Sequence, residues 1–330
     1  MIATTPVAGR RSRIDVQSLV PVATLVVMVV VLSALNPAFL SVGTALNLMA
    51  QVSVVGIVAL GATMVLITAG IDFTTGYGLA AIGMAVGSVF LQTNGNVVAM
   101  IATGIIGGAI LGMANGVLIA KLQILPFIAT LAMMLVAQGL STFIEDGRMI
   151  MLSGSPLLWI GQGRIAGSIP ASFAIYVVLC LLAAAILNLT RFGTSVYAVG
   201  GNEPAARYSG IHVDRIKLYC YTLAGVFTGV AALITIAKIG MATPGISGST
   251  LLDAIAASVI GGASLSGGRG KVSGTFVGVI IIVLIGTALT YLNIPPEMQD
   301  VFKGIVILIA VCFDQLVRRY ARRYSSHPVE

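Results

Sequence analysis

LVPVATLVVMVVVLSAL, Leu19 to Leu35, contains no charged residue. A helix needs about 20 apolar residues to cross the hydrocarbon core of a bilayer. Lipid offers no partners to a bare backbone, so only helices and closed barrels cross it. A barrel would require strands of about ten residues with alternating polarity, and Leu19 to Leu35 does not alternate. The stretch therefore reads as a membrane helix. Nine similar runs follow, and the ten predicted spans are 19–36, 46–69, 76–92, 97–120, 125–143, 171–189, 218–237, 251–265, 273–292 and 300–317. Arg10, Arg11 and Arg13 before the first run imitate a secretory signal. The run is longer than an ordinary signal core and no small-residue cleavage site follows, so it reads as a retained span.

Composition agrees with that class. Hydrophobic residues make up 58% of the 330 and charged residues 9%, against roughly 25% charged in a soluble domain. Mean hydropathy is +1.04. The expected fold is an all-α polytopic membrane protein. It divides into a cytoplasmic tail 1–18, a transmembrane domain 19–317 and a cytoplasmic tail 318–330.

The basic residues orient the spans. With the N-terminus in the cytoplasm, that side receives Arg10, Arg11, Arg13, Lys121, Arg191, Arg207, Arg215, Lys217, Arg269, Lys271, Arg318, Arg319, Arg322 and Arg323. The other side receives Arg148, Arg164, Lys238 and Lys303. The imbalance satisfies the positive-inside rule and puts both termini in the cytoplasm. The net charge of +7 then faces anionic lipid and calls for no nucleic acid. The longest outer segment, Glu145 to Pro170, carries Trp159, either an interfacial anchor or a contact for an extracytoplasmic partner.

The two halves share a weak repeat. Gly104, Gly108, Gly112 and Gly116 recur every fourth residue in the fourth span, and Gly274, Gly278 and Gly286 keep that phase in the ninth. Such glycines form a smooth face for close helix packing. The third and eighth spans begin near lone acids, Asp72 and Asp253, and the fifth and tenth follow Leu125-Pro126 and Ile294-Pro295-Pro296. Five helices per half would invert the second half relative to the first, as in many transporters.

Polar residues among these spans are the candidates for a translocation path: Asp72, Thr74, Thr75, Asn115, Gln138 and Asp253. A charge at mid-membrane depth costs about 2.5–3.5 kcal/mol on insertion scales, so Asp72 either lines a wet interior or caps the next helix. Thr250-x-x-Asp253 resembles a capping box. Asn115 and Gln138 suit interhelical glue or a pore lining. Cys180, Cys220 and Cys312 fall in spans without a pairing pattern, and His212 and His327 lie in polar segments far apart. No metal-ligand spacing results, and no catalytic constellation. Gly267-Gly268-Arg269-Gly270-Lys271 imitates a phosphate loop, but Leu265 stands where the first Gly belongs and Val272 replaces Ser/Thr. The chain therefore offers no nucleotide site and is not expected to be an enzyme.

Arg191 to Lys217 is too long for a turn and too polar to cross. Within it, Gly201, Asn202, Glu203, Pro204, Ala205, Ala206, Arg207 and Gly210 read as a short punctuated helix. Asn202 or Glu203 caps it, Pro204 opens it and Gly210 stops it. Ala205 and Ala206 offer a small surface beside Arg207. A capped helix presented to the cytoplasm suits docking into a groove on another protein.

Four motifs carry a resemblance: GGNEPAARYSGI at 200–211, LDAIAASVIGGASLSGGRG at 252–270, GIDFTTG at 70–76 and LPFIATLAMM at 125–134. From about Gly43 to Leu316 the chain resembles the membrane permease subunits of ribose-type ABC sugar importers, within the branched-chain amino acid and ribose permease superfamily. The resemblance implies inward transport of a monosaccharide by alternating access across a bacterial inner membrane. It also implies a separate cytoplasmic ATPase that holds ATP and Mg, an extracytoplasmic solute-binding protein and a second permease copy, identical or related. Residues 200–211 would be the segment coupled to the ATPase. The chain departs from the family's usual GIDLSVG at Phe73, Thr74 and Thr75, and from a frequent acid at Leu252, positions that bear on the sugar carried. Two other readings stand beside it: an ABC permease for a branched-chain amino acid, and an ion-coupled transporter in which Asp72 or Asp253 carries H⁺ or Na⁺.

Overall fold

The computed structural model describes residues 16–35, 37–246, 250–295, 298–305 and 308. The tail before residue 16, the tail 318–330 and most of the span predicted at 300–317 lie outside the described residues, as do Cys312 and His327. In chain order the helices are α1 (Val16–Leu35), α2 (Val42–Ile67), α3 (Thr75–Gln92), α4 (Val97–Ala120), α5 (Pro126–Phe143), α6 (Leu158–Gln162), α7 (Ala171–Leu189), α8 (Arg191–Gly201), α9 (Glu203–Tyr208), α10 (Val213–Ile239), α11 (Thr250–Ile260) and α12 (Val272–Tyr291). Among the described residues, α2, α3, α4, α5, α7, α10 and α12 are long and apolar enough to cross a bilayer. The protein is a multi-pass helical membrane protein.

The spans predicted at 97–120 and 171–189 coincide with α4 and α7. Other boundaries shift by a few residues, two of them for local reasons. Helix α10 begins five residues before the predicted 218, with the acidic Asp214 in its first turn, where it complements the helix dipole. Helix α11 stops at Ile260 rather than 265. Gly262 follows at φ +91°, a left-handed conformation that ends helices and favours glycine.

Helices α2 and α10 form the centre, with α3, α4, α7, α11 and α12 packed around them. Ile57, Leu60 and Met64 of α2 and Ala231, Ile234 and Ile236 of α10 are buried there. Helices α4 and α10 approach most closely, and glycine is the reason. A Cβ on Gly108 would strike the Gly225 carbonyl and lie 3.0 Å from the Gly229 Cα, and one on Gly112 would lie 3.0 Å from the Gly225 Cα. Gly104 faces Leu233 and Gly116 faces Leu218 on the same helix. The predicted stripe thus meets a second one, Gly225-x-x-x-Gly229. Gly274 and Gly278 also pack tightly, but against Gly261 and Ala257 at the end of α11. Among the described residues, a Cβ on Gly286 would have only the flexible Lys303 side chain nearby, at 3.6 Å.

Hydroxyls bridge the core where backbones crowd. Thr63 and Thr275 lie 2.7 Å apart, and Ser258 donates to the Ala59 carbonyl at 3.1 Å. The segment between α5 and α7 is ordered. Its strand β1 (Ile150–Met151) pairs antiparallel with β4 (Met241–Ala242), and β2 (Arg164–Ile165) pairs with β3 (Ile169–Pro170). Gly161 rests on the backbone of Ala237 and Lys238, and Gln162 donates to the Ala237 carbonyl at 3.0 Å. Trp159 stays exposed on α6.

Candidate functional site

Helix α2 ends in a Schellman arrangement: the Gly70 N–H reaches the Val65 carbonyl at 3.1 Å and the Ala69 N–H reaches Leu66 at 2.9 Å. Ala69 occupies the left-handed position, φ +59°, which ordinarily costs a side-chain-bearing residue about 1–2 kcal/mol. The chain then runs unwound through Gly70, Ile71, Asp72 and Phe73 before α3 begins.

Here Asp72, Thr74 and Asn115 come together. Asp72 Oδ1 accepts the Thr74 N–H at 2.9 Å, a local turn that prepares the start of α3. It also accepts from Asn115 Nδ2 at 3.4 Å, and the same nitrogen donates to Thr74 Oγ1 at 2.6 Å. Thr74 Oγ1 donates to the Thr130 carbonyl at 3.2 Å, tying in α5. Thr130 and Tyr221 both donate to the Ile71 carbonyl, at 3.3 and 3.2 Å. The Ile71 carbonyl of the unwound segment is thereby satisfied from α5 and α10, as a buried polar group in irregular membrane backbone requires. Asp72 thus acts as a local turn former and as a member of an interhelical cluster.

The cluster keeps unused accepting capacity. Asp72 is 7% exposed, and no cationic side chain pairs with it among the described residues. Asn115 Oδ1 is fully buried without a protein partner among the described residues. Asp72, Thr74, Thr75, Asn115 and Thr228 line a cavity of about 10 Å³, room for one water. In this conformation nothing as large as a sugar fits.

The other candidates sit elsewhere. Gln138 lies eight residues beyond Thr130 on α5, about 12 Å along the axis. Asp253 of α11 accepts from Lys303 Nζ at 3.0 Å, with both side chains largely buried. Phe73 stacks edge-on against Phe127 at 5.5 Å, and Leu252 is exposed.

The segment 191–217 folds as α8, α9 and the first turn of α10. Asn202 is the cap: its Oδ1 accepts the Ala205 N–H at 3.0 Å. Pro204 lies in the first turn, and Gly210 at φ +83° stops the helix. Ala205 is exposed, but Ala206 turns inward against Val199 and Val213, so the small outer surface is narrower than the sequence suggests. Glu203 and Arg207 are engaged within the chain. Lys217 donates to Glu203 at 2.7 Å, and Arg207 donates to Asp214 at 2.9 Å and to Glu203 at 3.4 Å. Asp214, and secondarily Glu203, raises the Arg207 pKa further.

The family model described as "Branched-chain amino acid transport system / permease component" matches residues 44–311. The chain belongs to this permease family. It is 42% identical to the ribose import permease protein of Bacillus subtilis (strain 168), over 91% of this chain and 93% of that one. It is 37% identical to the ribose import permease protein of Escherichia coli (strain K12), over 88% and 91%. It is 36% identical to the galactose/methyl galactoside import permease protein of Salmonella typhimurium, over 91% and 94%. No solved structure matches it. The permease is a transport component rather than an enzyme.

Sequence reasoning missed several residues of the permease. Thr130 and Tyr221 look like ordinary span residues until α2 unwinds beside them. Lys303, at the outer end of the tenth predicted span, looks like a topology charge until helical residues 298–305 bring it to Asp253. Gly225-x-x-x-Gly229 was visible as a small-residue pattern on the seventh predicted span.

Proposed function

We propose that this permease moves a monosaccharide inward by alternating access, as the membrane subunit of an ABC importer. A separate cytoplasmic ATPase would hold ATP and Mg, an extracytoplasmic protein would deliver the solute, and a second permease copy would complete the pathway in the lipid bilayer. The observation that carries this reading is the identity of about 36–42% to ribose and galactose import permeases over nearly the full length of both chains. The cluster's chemistry agrees. Asp72 and the unused Asn115 oxygen are acceptors, and sugar hydroxyls are donors. The cavity must widen before they meet, which alternating access requires.

Two finer features belong to this reading. Both termini lie in the cytoplasm, supported by the distribution of Lys and Arg. The halves are inverted five-helix repeats, supported by matched pairings: α4 on α10 corresponds to α12 on α2, α3 on α10 to α11 on α2, and α3 on α4 to α11 on α12. Residues 201–207 and Gly210 form the coupling segment, and Asp72, Thr74, Thr75 and Asn115 stand on the path.

The test is reconstitution in liposomes with an ABC ATPase and a sugar-binding protein from the same organism. The expected result is uptake of ribose or a related monosaccharide that requires ATP and all three components. Uptake by the permease alone from an ion gradient would overturn the ABC reading. ATP-dependent uptake of a branched-chain amino acid in place of sugar would overturn the assignment of solute.

A further inference from the structure

The end of α8, the end of α2 and the turn after α11 meet backbone to backbone. The Gly268 N–H donates to the Ile67 carbonyl at 2.9 Å, filling an acceptor that the end of α2 leaves open. Gly200 lies over the same carbonyl: a Cβ there would overlap the Ile67 oxygen and come within 2.6 Å of the Gly268 nitrogen. Gly267, at φ +81°, faces the Gly200 oxygen, where a Cβ would lie at 2.6 Å, and the Ala69 Cβ at 2.8 Å. A Cβ on Gly268, at φ +73°, would lie 2.9 Å from the Gly201 Cα. From the side, Tyr197 of α8 donates to the Gly270 carbonyl at 2.8 Å. The segment that imitates a phosphate loop thus has Gly267 and Gly268 occupied by protein backbone and Gly270 by the Ile67 side chain.

Position gives this contact its consequence. Gly200 and Gly201 end α8, and Asn202 both closes α8 and caps α9. On the other side, Ile67 ends α2, and Asp72 follows five residues later through the Schellman turn. Among the described residues no flexible side chain lies between the backbones at Gly200, Gly267 and Gly268 to absorb a displacement, and close-packed contacts transmit strain. We infer that Gly200, Gly267 and Gly268 form a stiff joint through which movement of α9 is passed to the Asp72–Asn115 cluster, with the 264–270 turn carried along. The inference rests on α9 being the segment that meets the ATPase. The glycines are positioning residues that touch neither solute nor nucleotide.

The experiment compares Gly267→Ala with Gly139→Ala, an α5 position where a Cβ meets nothing within 4 Å among the described residues. Each variant is co-purified with the ATPase and reconstituted with the binding protein. Mutations along a coupling route change coupling by up to about 2 kcal/mol, roughly thirtyfold. Gly267→Ala is expected to keep ATPase capture and ATP hydrolysis within about twofold while solute uptake falls about tenfold or more. ATP consumed per solute then rises at least about fivefold, a change that simple loss of folded protein does not produce. Gly139→Ala is expected to match the wild type. Unchanged uptake in Gly267→Ala overturns the joint, as does a proportional fall of uptake, hydrolysis and capture. If Gly267→Ala does not accumulate in the membrane, Gly268→Ala is held to the same outcomes. Failure of the wild-type chain to capture any ATPase would instead overturn the functional reading on which the joint rests.

Discussion

Asp72 and Asp253 look alike in the sequence, each a lone acid near the start of an apolar span. The fold gives them different company. Asp253 is matched by the charge of Lys303 at 3.0 Å. Asp72 is held by the Thr74 N–H and the Asn115 amide beside a water-sized cavity, with no cationic side chain paired to it among the described residues. A carboxylate beside an ammonium has its charge balanced where it sits. One held by neutral donors stays open to another donor, and so to a hydroxylated solute. The two acids therefore sit in different chemistry, and Asp72 is the better candidate for solute contact.

The largest expected effect breaks the matched pair. Lys303→Met leaves the Asp253 carboxylate largely buried beside a thioether. Removing one partner of a buried ion pair costs about 3–5 kcal/mol. Thermal unfolding in detergent should show a correspondingly large loss, and Asp253→Asn added to Lys303→Met should restore more than half of it. A single Lys303→Met variant as stable as the wild type would show that the pair contributes little and that the contrast with Asp72 is superficial.

Next comes Asp72→Asn. The amide keeps the size of the carboxylate and can still accept the Thr74 N–H, so the turn survives while the charge is lost. Membrane abundance and unfolding temperature should stay near wild type. Uptake should fall about tenfold, equivalent to about 1.4 kcal/mol in the rate-limiting step. Parallel losses of abundance and uptake would reduce Asp72 to a structural turn former and remove it from the path.

The contrast also marks where sequence reading stopped. Seven of the spans, the polar break and the cap of α9 were legible because each is a local pattern: apolar length, a Gly-flanked acid, Asn202 followed by Pro204, Gly210 at the stop. Contacts distant in sequence were not. Nothing in GIDFTTG names Asn115, 43 residues away, as the amide beside Asp72. The glycines of α4 and α12 share a phase, yet α4 packs on α10 and Gly274 and Gly278 pack at the end of α11. A phase tells which residues share a face, not which helix covers it. Ala206 reads as surface until α8 supplies Val199 to cover it. The glycines of the false phosphate loop gained a meaning only when Gly200 was found against them.

The smallest effect is expected at the exposed ion pairs, which mark the other extreme from Lys303. Glu203, Arg207, Asp214 and Lys217 alternate in sign between α9 and the first turn of α10, and Glu203, Arg207 and Asp214 are 40–49% exposed. Water and salt screen such charges, so the network orients α9 rather than holding the fold together. Replacing both Glu203 and Arg207 by Gln should leave insertion and unfolding temperature unchanged. ATPase capture should weaken only a few-fold, because α9 keeps its Asn202 cap, its Gly210 stop and the inward Ala206. At high ionic strength wild type and variant should converge, since salt already removes most of what the substitution removes. Capture abolished at every salt concentration would show instead that these side chains contact the ATPase directly, making α9 a charged docking surface rather than an oriented lever.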